Sequence, residues 1–344
     1  MVNAANANPT AAPAASADPN PATEPAPPPF AYHGRFAPSP TGALHFGSLV
    51  AALASYCDAR AHQGYWHVRI DDLDTPRVVP GAAETILRQL EACALEWDGP
   101  VTYQSHHRDA YRDAFETLRQ NGRLYPCGCT RKDLADAPRA IDGSRRYPGT
   151  CRNGLAPQRT PRAWRYRTTE TLSFCDRIQG RVTENLPEDL GDFIVWRADG
   201  VAAYQLAVVV DDAQIGVTHV VRGADLLGST CRQIALARAL DLPVPQYAHV
   251  PVALAANGQK LSKQNLAPPL PYDDPRTLAA ALVAALTFLR QNPPKALCNA
   301  SPKTIVAWAV AHWTPAAIPA VTTLPVAGTT AASLGTLTLS GATR

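Results

Sequence analysis

Two short motifs constrain this 344-residue chain more than any other feature. The first, Pro38–Ser48, has the sequence PSPTGALHFGS, and the second, Lys260–Gln264, has the sequence KLSKQ. The first combines loop-forming Pro and Gly residues with the start of a helical pattern. Each motif is ambiguous alone, because proline-rich turns and clusters of lysines are common on protein surfaces. Together, and in this order, they restrict the chain far more than either does alone.

The first motif predicts a phosphate-binding helix start. A short strand ends at Ala37, the Pro and Gly residues that follow form a tight loop, and apolar residues recur at helical spacing from Phe46. His45, Gly47 and Ser48 therefore lie at a helix N-terminus, where free N–H groups and the helix dipole favour a triphosphate. Gly47 allows close approach to the backbone, and His45 can donate a hydrogen bond to a phosphate in the transition state. The alternative is a proline-rich turn before an ordinary helix.

The second motif predicts a basic loop. It follows the turn-forming pair Asn257-Gly258 and a strand-like run over 247–254. Lys260 and Lys263 bracket the small hydroxyl residue Ser262, so they can wrap a triphosphate and neutralise the pyrophosphate that leaves. The alternative is a solvated cluster of surface charges.

Composition bounds the class of protein. The chain has 32 Lys and Arg against 29 Asp and Glu, a net charge of +3, which does not by itself indicate nucleic-acid binding. No run of 18 apolar residues predicts a membrane span, and the N-terminus lacks the pattern of a signal peptide. Eight unevenly spaced cysteines fit a reduced, cytoplasmic protein better than a disulfide scaffold.

Strand and helix patterns alternate through the body of the chain, which predicts an α/β fold with a parallel sheet. A continuous apolar run, Leu206–Val210, predicts a buried strand that ends at Asp211-Asp212. The predicted boundaries are a disordered Ala/Pro-rich tail over 1–32, a main domain over 33–255 with an irregular insertion at about 123–160, the lysine loop and a helical stem over 256–314, and a disordered tail over 315–344.

Three cysteines cluster in the inserted segment. Cys127, Cys129 and Cys151 lie in a loop-rich stretch, which favours a structural zinc site. Zinc usually takes four ligands, and the candidates for the fourth are Tyr147 and Asp142. The alternative is a set of ordinary reduced cysteines.

The chain resembles class I aminoacyl-tRNA synthetases, and among them the catalytic domain of glutamyl-tRNA synthetase. The two motifs are similar to the "HIGH" and "KMSKS" segments of that class, and the resemblance extends from Gly34 to Trp313. Its most specific segments are GRFAPSP from Gly34, HFGSL from His45, VRIDDLD from Val68, PGAAETILRQL from Pro80, LAVVVDD from Leu206, VRGADL from Val221 and KLSKQN from Lys260.

The resemblance implies a Rossmann-type catalytic domain with an inserted zinc lobe and a short helical stem. It implies that ATP binds with Mg²⁺ and that His45 and Lys263 are catalytic. It also implies residues that bind glutamate: Arg35, Ala37, Ser39, Asp71, Tyr204 and Arg222. Asp71 stands where the family usually has Glu, so its contact with the substrate ammonium can be direct or through a water. Cys127, Cys129, Tyr147 and Cys151 match the family's zinc positions.

The resemblance is greatest to a truncated bacterial paralogue of that synthetase. About 80 residues follow the lysine loop, which leaves no room for an anticodon-binding region. The paralogue is implied to activate glutamate with ATP and to transfer it to queuosine in the anticodon loop of tRNA(Asp). The alternatives are a truncated synthetase that charges tRNA(Glu), a non-catalytic tRNA-binding paralogue, and another nucleotidyltransferase with the same ATP motifs. A monomer is expected.

Overall fold

The computed structural model describes residues 32–255, 258–261 and 268–326, all within the unit Tyr32–Arg344. The helices in the described residues are α1 (Phe46–Ala61), α2 (Ala82–Ala92), α3 (Arg108–Gln120), α4 (Tyr204–Gln214), α5 (Thr230–Ala239), α6 (Pro275–Phe288) and α7 (Pro302–Ala311). The strands are β1 (His33–Phe36), β2 (Tyr65–Ile70), β3 (Thr102–Tyr103), β4 (Leu124–Cys127), β5 (Ala163–Tyr166), β6 (Thr171–Asp176), β7 (Gly180–Asn185), β8 (Phe193–Trp196), β9 (His219–Gly223), β10 (Gln246–Val250), β11 (Val252–Leu254) and β12 (Thr323–Pro325).

Parallel strands form the centre of the fold. β1 pairs with β2 and β2 with β3, while β9 pairs with β10. The backbone of Thr218, directly before β9, donates to the carbonyl of His33 at the start of β1, 3.0 Å away. The chain therefore runs outward from β1 through β2 and β3 and returns to the other side of β1 at β9. Ligands of open α/β sheets bind at such a reversal, beyond the carboxyl ends of the strands.

Helix α1 follows the first strand and is packed into the core. Its Leu49, Val50 and Leu53 are buried, and the helix packs against β1, β9, α6 and α7. Trp66 of β2 is also fully buried and donates its indole N–H to Ser55 of α1 at 3.0 Å. Because α1 is anchored on both sides, its N-terminus has a fixed position at the end of β1.

The inserted segment lies between β4 and β5 in the chain. These strands pair antiparallel, β5 continues to β8, and β6 and β7 form a separate hairpin. The predicted insertion at 123–160 thus begins on β4 and ends before β5. Among the described residues, no helix is long and apolar enough to cross a membrane.

The prediction of a strand at Leu206–Val210 is wrong. These residues lie in α4, and Leu206–Asp212 is buried without interruption. An amphipathic helix shows a polar face, but a helix that is enclosed on all sides is apolar all round and cannot be distinguished from a buried strand by periodicity. Asp211 and Asp212 therefore project from the last turns of a helix rather than from a strand end.

Two boundaries also differ from those predicted. The run 247–254 is two strands, β10 and β11, with Pro251 between them. The tail predicted to be disordered from residue 315 contains β12, which pairs in parallel with β11. Apolar residues of this segment, Ile318 and Val326, are buried in the main core. The segment has only weak periodicity, and the strand with which it pairs, β11, lies about 70 residues away. Its structure was therefore not visible in the local sequence.

Candidate active site

One cavity of about 670 Å³ brings together the predicted ATP-binding and glutamate-binding residues that the structure describes. It lies beyond the carboxyl ends of β1, β2 and β9, where α1 begins. The predicted residues that line it are Arg35, Ala37, Ser39, His45, Gly47, Ser48, Asp71, Tyr204, Arg222 and Lys260. Segments up to 225 residues apart in sequence therefore face a common space.

His45 is the N-cap of α1. Its Nδ1 accepts from the backbone N–H of Ser48 at 3.3 Å, so the neutral ring carries its proton on Nε2. Gly47 is needed for packing as well as for access. A Cβ at Gly47 would lie 2.9 Å from the carbonyl oxygen of Leu261 and 3.1 Å from the His45 ring. The first motif is therefore packed directly against the start of the second.

Lys260 begins the lysine loop beside the cavity. The segment folds back on β11, since the N–H of Leu261 donates to the carbonyl of Ala253 at 2.9 Å. Lys260 Nζ donates to Asp225 Oδ2 at 2.6 Å, and both side chains are about two-fifths exposed. The other predicted ATP-binding residues of this loop, Ser262 and Lys263, lie outside the described residues.

Gln89 joins the first motif to the segment after the lysine loop and was missed by the sequence analysis. This fully buried side chain of α2 accepts from the N–H of Leu44 at 2.7 Å and donates to the carbonyl of Leu270 at 2.6 Å. Leu44 precedes His45, and Leu270 follows the lysine loop. A single amide therefore holds the backbone of the first motif and that of the segment after the lysine loop. No local pattern distinguishes Gln89 from an exposed helical glutamine.

A buried network of charged side chains adjoins the cavity. Arg69 is fully buried and pairs with Asp71 at 2.7 Å and with Asp212 at 2.6 Å. Asp212 also accepts from Arg35 at 3.3 Å. Asp211, behind Arg69, accepts from Gln104, His107 and Tyr111. The two acidic residues of α4 thus orient the arginines of β1 and β2.

Asp71 is the acidic group of this network that faces the cavity. Burial raises its pKa to about 6, although the Arg69 guanidinium acts in the opposite direction. By contrast, burial would raise the pKa of Asp212, but Arg35 and Arg69 hold it below its usual value. Asp71 can therefore change its charge in a mildly acidic solution, whereas Asp212 stays ionised.

The remaining predicted glutamate ligands come from separate elements. Ala37 and Ser39 lie on the loop after β1, and Tyr204 opens α4 with 39% of its surface exposed. Arg222, at the end of β9, is 5% exposed. Its Nη1 is buried and has no hydrogen-bond partner in the part of the chain that the structure describes. A buried guanidinium N–H that lines a cavity without a partner is suited to an anionic ligand.

The cysteine cluster is compact. The Sγ atoms of Cys127, Cys129 and Cys151 lie within 4.8 Å of one another. Tyr147 Oη lies 3.4 Å from Cys127 Sγ and 3.5 Å from Cys129 Sγ, and the sulfurs of Cys129 and Cys151 are 3.6 Å apart. Usual zinc bond lengths and tetrahedral angles give edges of about 3.8 Å between sulfurs and about 3.5 Å between sulfur and oxygen. The four side chains could therefore hold a metal ion.

Asp142, the other candidate for the fourth ligand, is not in this cluster. It pairs with Arg232 of α5 at 2.7 Å and accepts from Ser144. Tyr147 is also fixed from behind, because the Arg165 guanidinium carbon lies 3.6 Å from the centre of its ring. Arg165 Nε donates to Cys127 Sγ at 3.3 Å. Arg165 therefore places a positive charge beside the sulfur atoms.

A family model described as tRNA synthetases class I (E and Q), catalytic domain, matches residues 32–290. The chain belongs to this family. The match covers the described sheet, the cavity and the cysteine cluster.

The curated relatives that resemble this chain share one more specific name. The chain is 59% identical to "Glutamyl-Q tRNA(Asp) synthetase" of Aromatoleum aromaticum over 288 residues, which cover 84% of this chain and 90% of the relative. It is 56% identical to the protein of the same name from Dechloromonas aromatica, over 84% of this chain and 96% of that protein.

Solved structures agree on the fold. The glutamate-tRNA synthetase of Elizabethkingia anophelis superposes with a TM-score of 0.71 at 24% identity, over 87% of this chain and 68% of that one. The glutamate tRNA ligase of Elizabethkingia meningosepticum gives a TM-score of 0.70 at 24% identity, over 86% of this chain and 67% of that one. These likenesses support the Rossmann-type catalytic domain.

Proposed function

We propose that this chain activates L-glutamate with ATP to form glutamyl-adenylate and transfers the glutamate to queuosine in tRNA(Asp). The observation that carries the proposal is the common cavity, in which the residues of the ATP motifs face a buried arginine and an acidic group suited to an amino acid. Close relatives bear the name of this activity.

The ATP half of the cavity supplies positioning and charge. The N–H groups at the start of α1 and the Nε2–H of His45 suit the phosphates, and Lys260 lines the same cavity. Lys263 is proposed to stabilise the pyrophosphate as it leaves. Mg²⁺ bound with ATP would neutralise phosphate charge. In the activation step, an oxygen of the glutamate α-carboxylate bonds to the α-phosphorus of ATP. The bond between that phosphorus and the oxygen that bridges to the β-phosphate breaks. Little covalent protein chemistry is needed.

The other half of the cavity matches glutamate by charge. Asp71 is suited to the α-ammonium, and Arg222 Nη1, which has no hydrogen-bond partner among the described residues, is suited to a carboxylate. Arg35, Ala37, Ser39 and Tyr204 complete the proposed glutamate-binding set. The Asp71 carboxylate is held by Arg69, so its shorter reach than Glu favours a contact through a water.

The inserted lobe is proposed to contact the RNA. Residues 123–160 carry eight basic and three acidic side chains, a formal charge of +5, whereas the whole chain is +3. Such a local excess attracts a phosphate backbone and makes binding sensitive to salt. A queuosine hydroxyl would then attack the activated carbonyl, and AMP would leave as the ester bond forms.

Zinc is proposed to stabilise the lobe. Three thiolates and one oxygen, with separations of 3.4 Å, 3.5 Å and 3.6 Å between neighbouring donors, suit Zn²⁺, and the stacked Arg165 offsets part of the negative charge. The fit rests on the cluster geometry and on the chemistry of the donors. In this proposal the metal fixes the lobe and takes no part in the reaction.

The activation step is tested by glutamate-dependent exchange of labelled pyrophosphate into ATP. Wild-type protein is expected to exchange, and Lys263→Ala and His45→Ala are expected to lose roughly 100-fold or more, as for removal of a group that stabilises transition-state charge. Arg88→Ala, an exposed change on α2, is the control. Normal exchange by Lys263→Ala would remove Lys263 from the mechanism.

A further inference from the structure

A buried chain of hydrogen bonds runs behind Arg222. Asp176, at the end of β6, lies 2.6 Å from His249 Nδ1 on β10, and His249 Nε2 accepts from Arg222 Nε at 3.0 Å. His249 and Arg222 are register partners on neighbouring parallel strands. Their exposed fractions are 0% for His249, 2% for Asp176 and 5% for Arg222. The sequence analysis assigned no role to Asp176 or His249.

The partners of His249 fix its protonation. Asp176 Oδ1 already accepts backbone N–H groups of Ile178, Gln179 and His249, so the carboxylate is fully engaged and rigid. The bond to Oδ2 requires a proton on Nδ1 of His249, and the bond from Arg222 requires a lone pair on Nε2. Burial lowers the pKa of His249, which also favours the neutral ring.

The guanidinium is anchored at a second point. Arg222 Nη2 donates to Thr230 Oγ1 at 3.0 Å, and the guanidinium carbon lies 5.4 Å from the Tyr247 ring centre. Thr230 Oγ1 is itself 3.3 Å from His249 Nε2. With Nε and Nη2 held, Nη1 is the polar atom of this guanidinium left without a partner among the described residues.

Building on the proposed function, we infer that His249, oriented by Asp176 and assisted by Thr230, positions Arg222 for the side-chain carboxylate of glutamate and sets the preference for glutamate over glutamine. The α-carboxylate must be free to react with ATP, so a rigid arginine suits the carboxylate that does not react. The neutral ring orients the guanidinium without neutralising it. A glutamine amide would leave that buried charge without an anionic partner.

Two substitutions separate the two hydrogen bonds of the ring. In His249→Gln, the amide oxygen can take the place of Nε2 and accept from Arg222. In His249→Asn, the shorter amide can replace Nδ1 toward Asp176 but offers Arg222 no acceptor. Both remove the imidazole from the core, so a purely structural role predicts similar effects for both.

The experiment measures pyrophosphate exchange with glutamate and with glutamine. His249→Asn is expected to raise the KM for glutamate roughly tenfold or more, as for loss of one hydrogen bond to a charged group, with the KM for ATP unchanged within about twofold. Its preference for glutamate over glutamine should fall by a similar factor. His249→Gln should recover most of both. The isosteric Thr230→Val, which keeps the volume of the core, should raise the KM for glutamate about threefold or more.

Equal effects of Asn and Gln at position 249, or an unchanged KM for glutamate in Thr230→Val, would overturn the inference. If His249→Asn does not fold, which its thermal melt shows, the Thr230→Val result decides. A wild-type protein that exchanges pyrophosphate with no amino acid would instead contradict the proposed function. The two failures are therefore distinguishable.

Discussion

At the scale of single residues, the charge state of Asp71 controls the proposed amino-acid site. With a pKa of about 6, its carboxyl is ionised at pH 7.5 and largely protonated at pH 5. Only the ionised form attracts an ammonium group, so the KM for glutamate should rise as the pH falls through about 6. Below the pKa the rise should be at most roughly tenfold for each pH unit. Exchange assays between pH 7.5 and 5 measure this.

The matched variant is Asp71→Asn, which keeps the shape and removes the titration. Its KM for glutamate should be high and should not change across the same interval. The KM for ATP is the internal control. A wild-type KM for glutamate that is independent of pH would show that Asp71 does not pair with the substrate.

At the scale of elements, α2 links the first ATP motif to the segment after the lysine loop through Gln89. Gln89→Leu leaves the N–H of Leu44 and the carbonyl of Leu270 without their buried partner, which costs about 1–3 kcal/mol of stability for each group. Because both groups adjoin ATP-binding segments, the KM for ATP should rise more than the KM for glutamate. Urea unfolding and exchange kinetics measure the two effects. Arg88→Ala, on the exposed face of the same helix, should change neither.

The inserted lobe should depend on its metal. Purified protein is expected to contain one zinc per chain. Cys151→Ser should lose it, whereas Cys175→Ser, an exposed cysteine on β6, should keep it. Tyr147→Phe should weaken zinc binding without abolishing it, because three thiolates are left. Metal analysis and competition with a chelator measure this; equal zinc content in Cys151→Ser and wild type would refute the site.

The lobe and the ATP motifs were predictable because their residues are close in sequence. Pro38, Gly42 and His45 mark a loop and a cap within a few positions, and Cys127 and Cys129 mark the lobe. Contacts between distant residues were not predictable. Arg69 is 143 residues from Asp212, and His249 is 73 residues from Asp176. The burial of α4 on all sides concealed its period and therefore the role of its acidic residues.

At the scale of the whole molecule, buried and half-buried histidines should make the fold sensitive to acid. Burial lowers the pKa of His33, His67 and His249, and lowers that of His219 to about 4. Between pH 6.5 and about 4 the unfolded chain therefore binds more protons at these rings than the folded chain does. The free energy of unfolding should therefore decrease as the pH is lowered through this interval, by roughly 1 kcal/mol or more between pH 7 and 5. Asp71 and Glu184, whose pKa values burial raises, oppose the trend but are two groups against four.

Urea unfolding at several pH values tests this expectation. His219→Phe keeps a ring stacked on Tyr32, whose centre is 4.0 Å away, and should reduce the slope with pH. His106→Asn, at an exposed position, should leave the slope unchanged. A stability that does not vary between pH 7 and 5 would mean that these rings titrate alike in the folded and unfolded chains.

The most direct test of the central claim is the transfer of glutamate to RNA. Purified protein would be incubated with ATP, Mg²⁺ and radiolabelled glutamate, together with tRNA(Asp) that contains or lacks queuosine, or with tRNA(Glu). The proposed function predicts label on the queuosine-containing tRNA(Asp) and none on the other two. Label on tRNA(Glu), or no label on any tRNA, would contradict it.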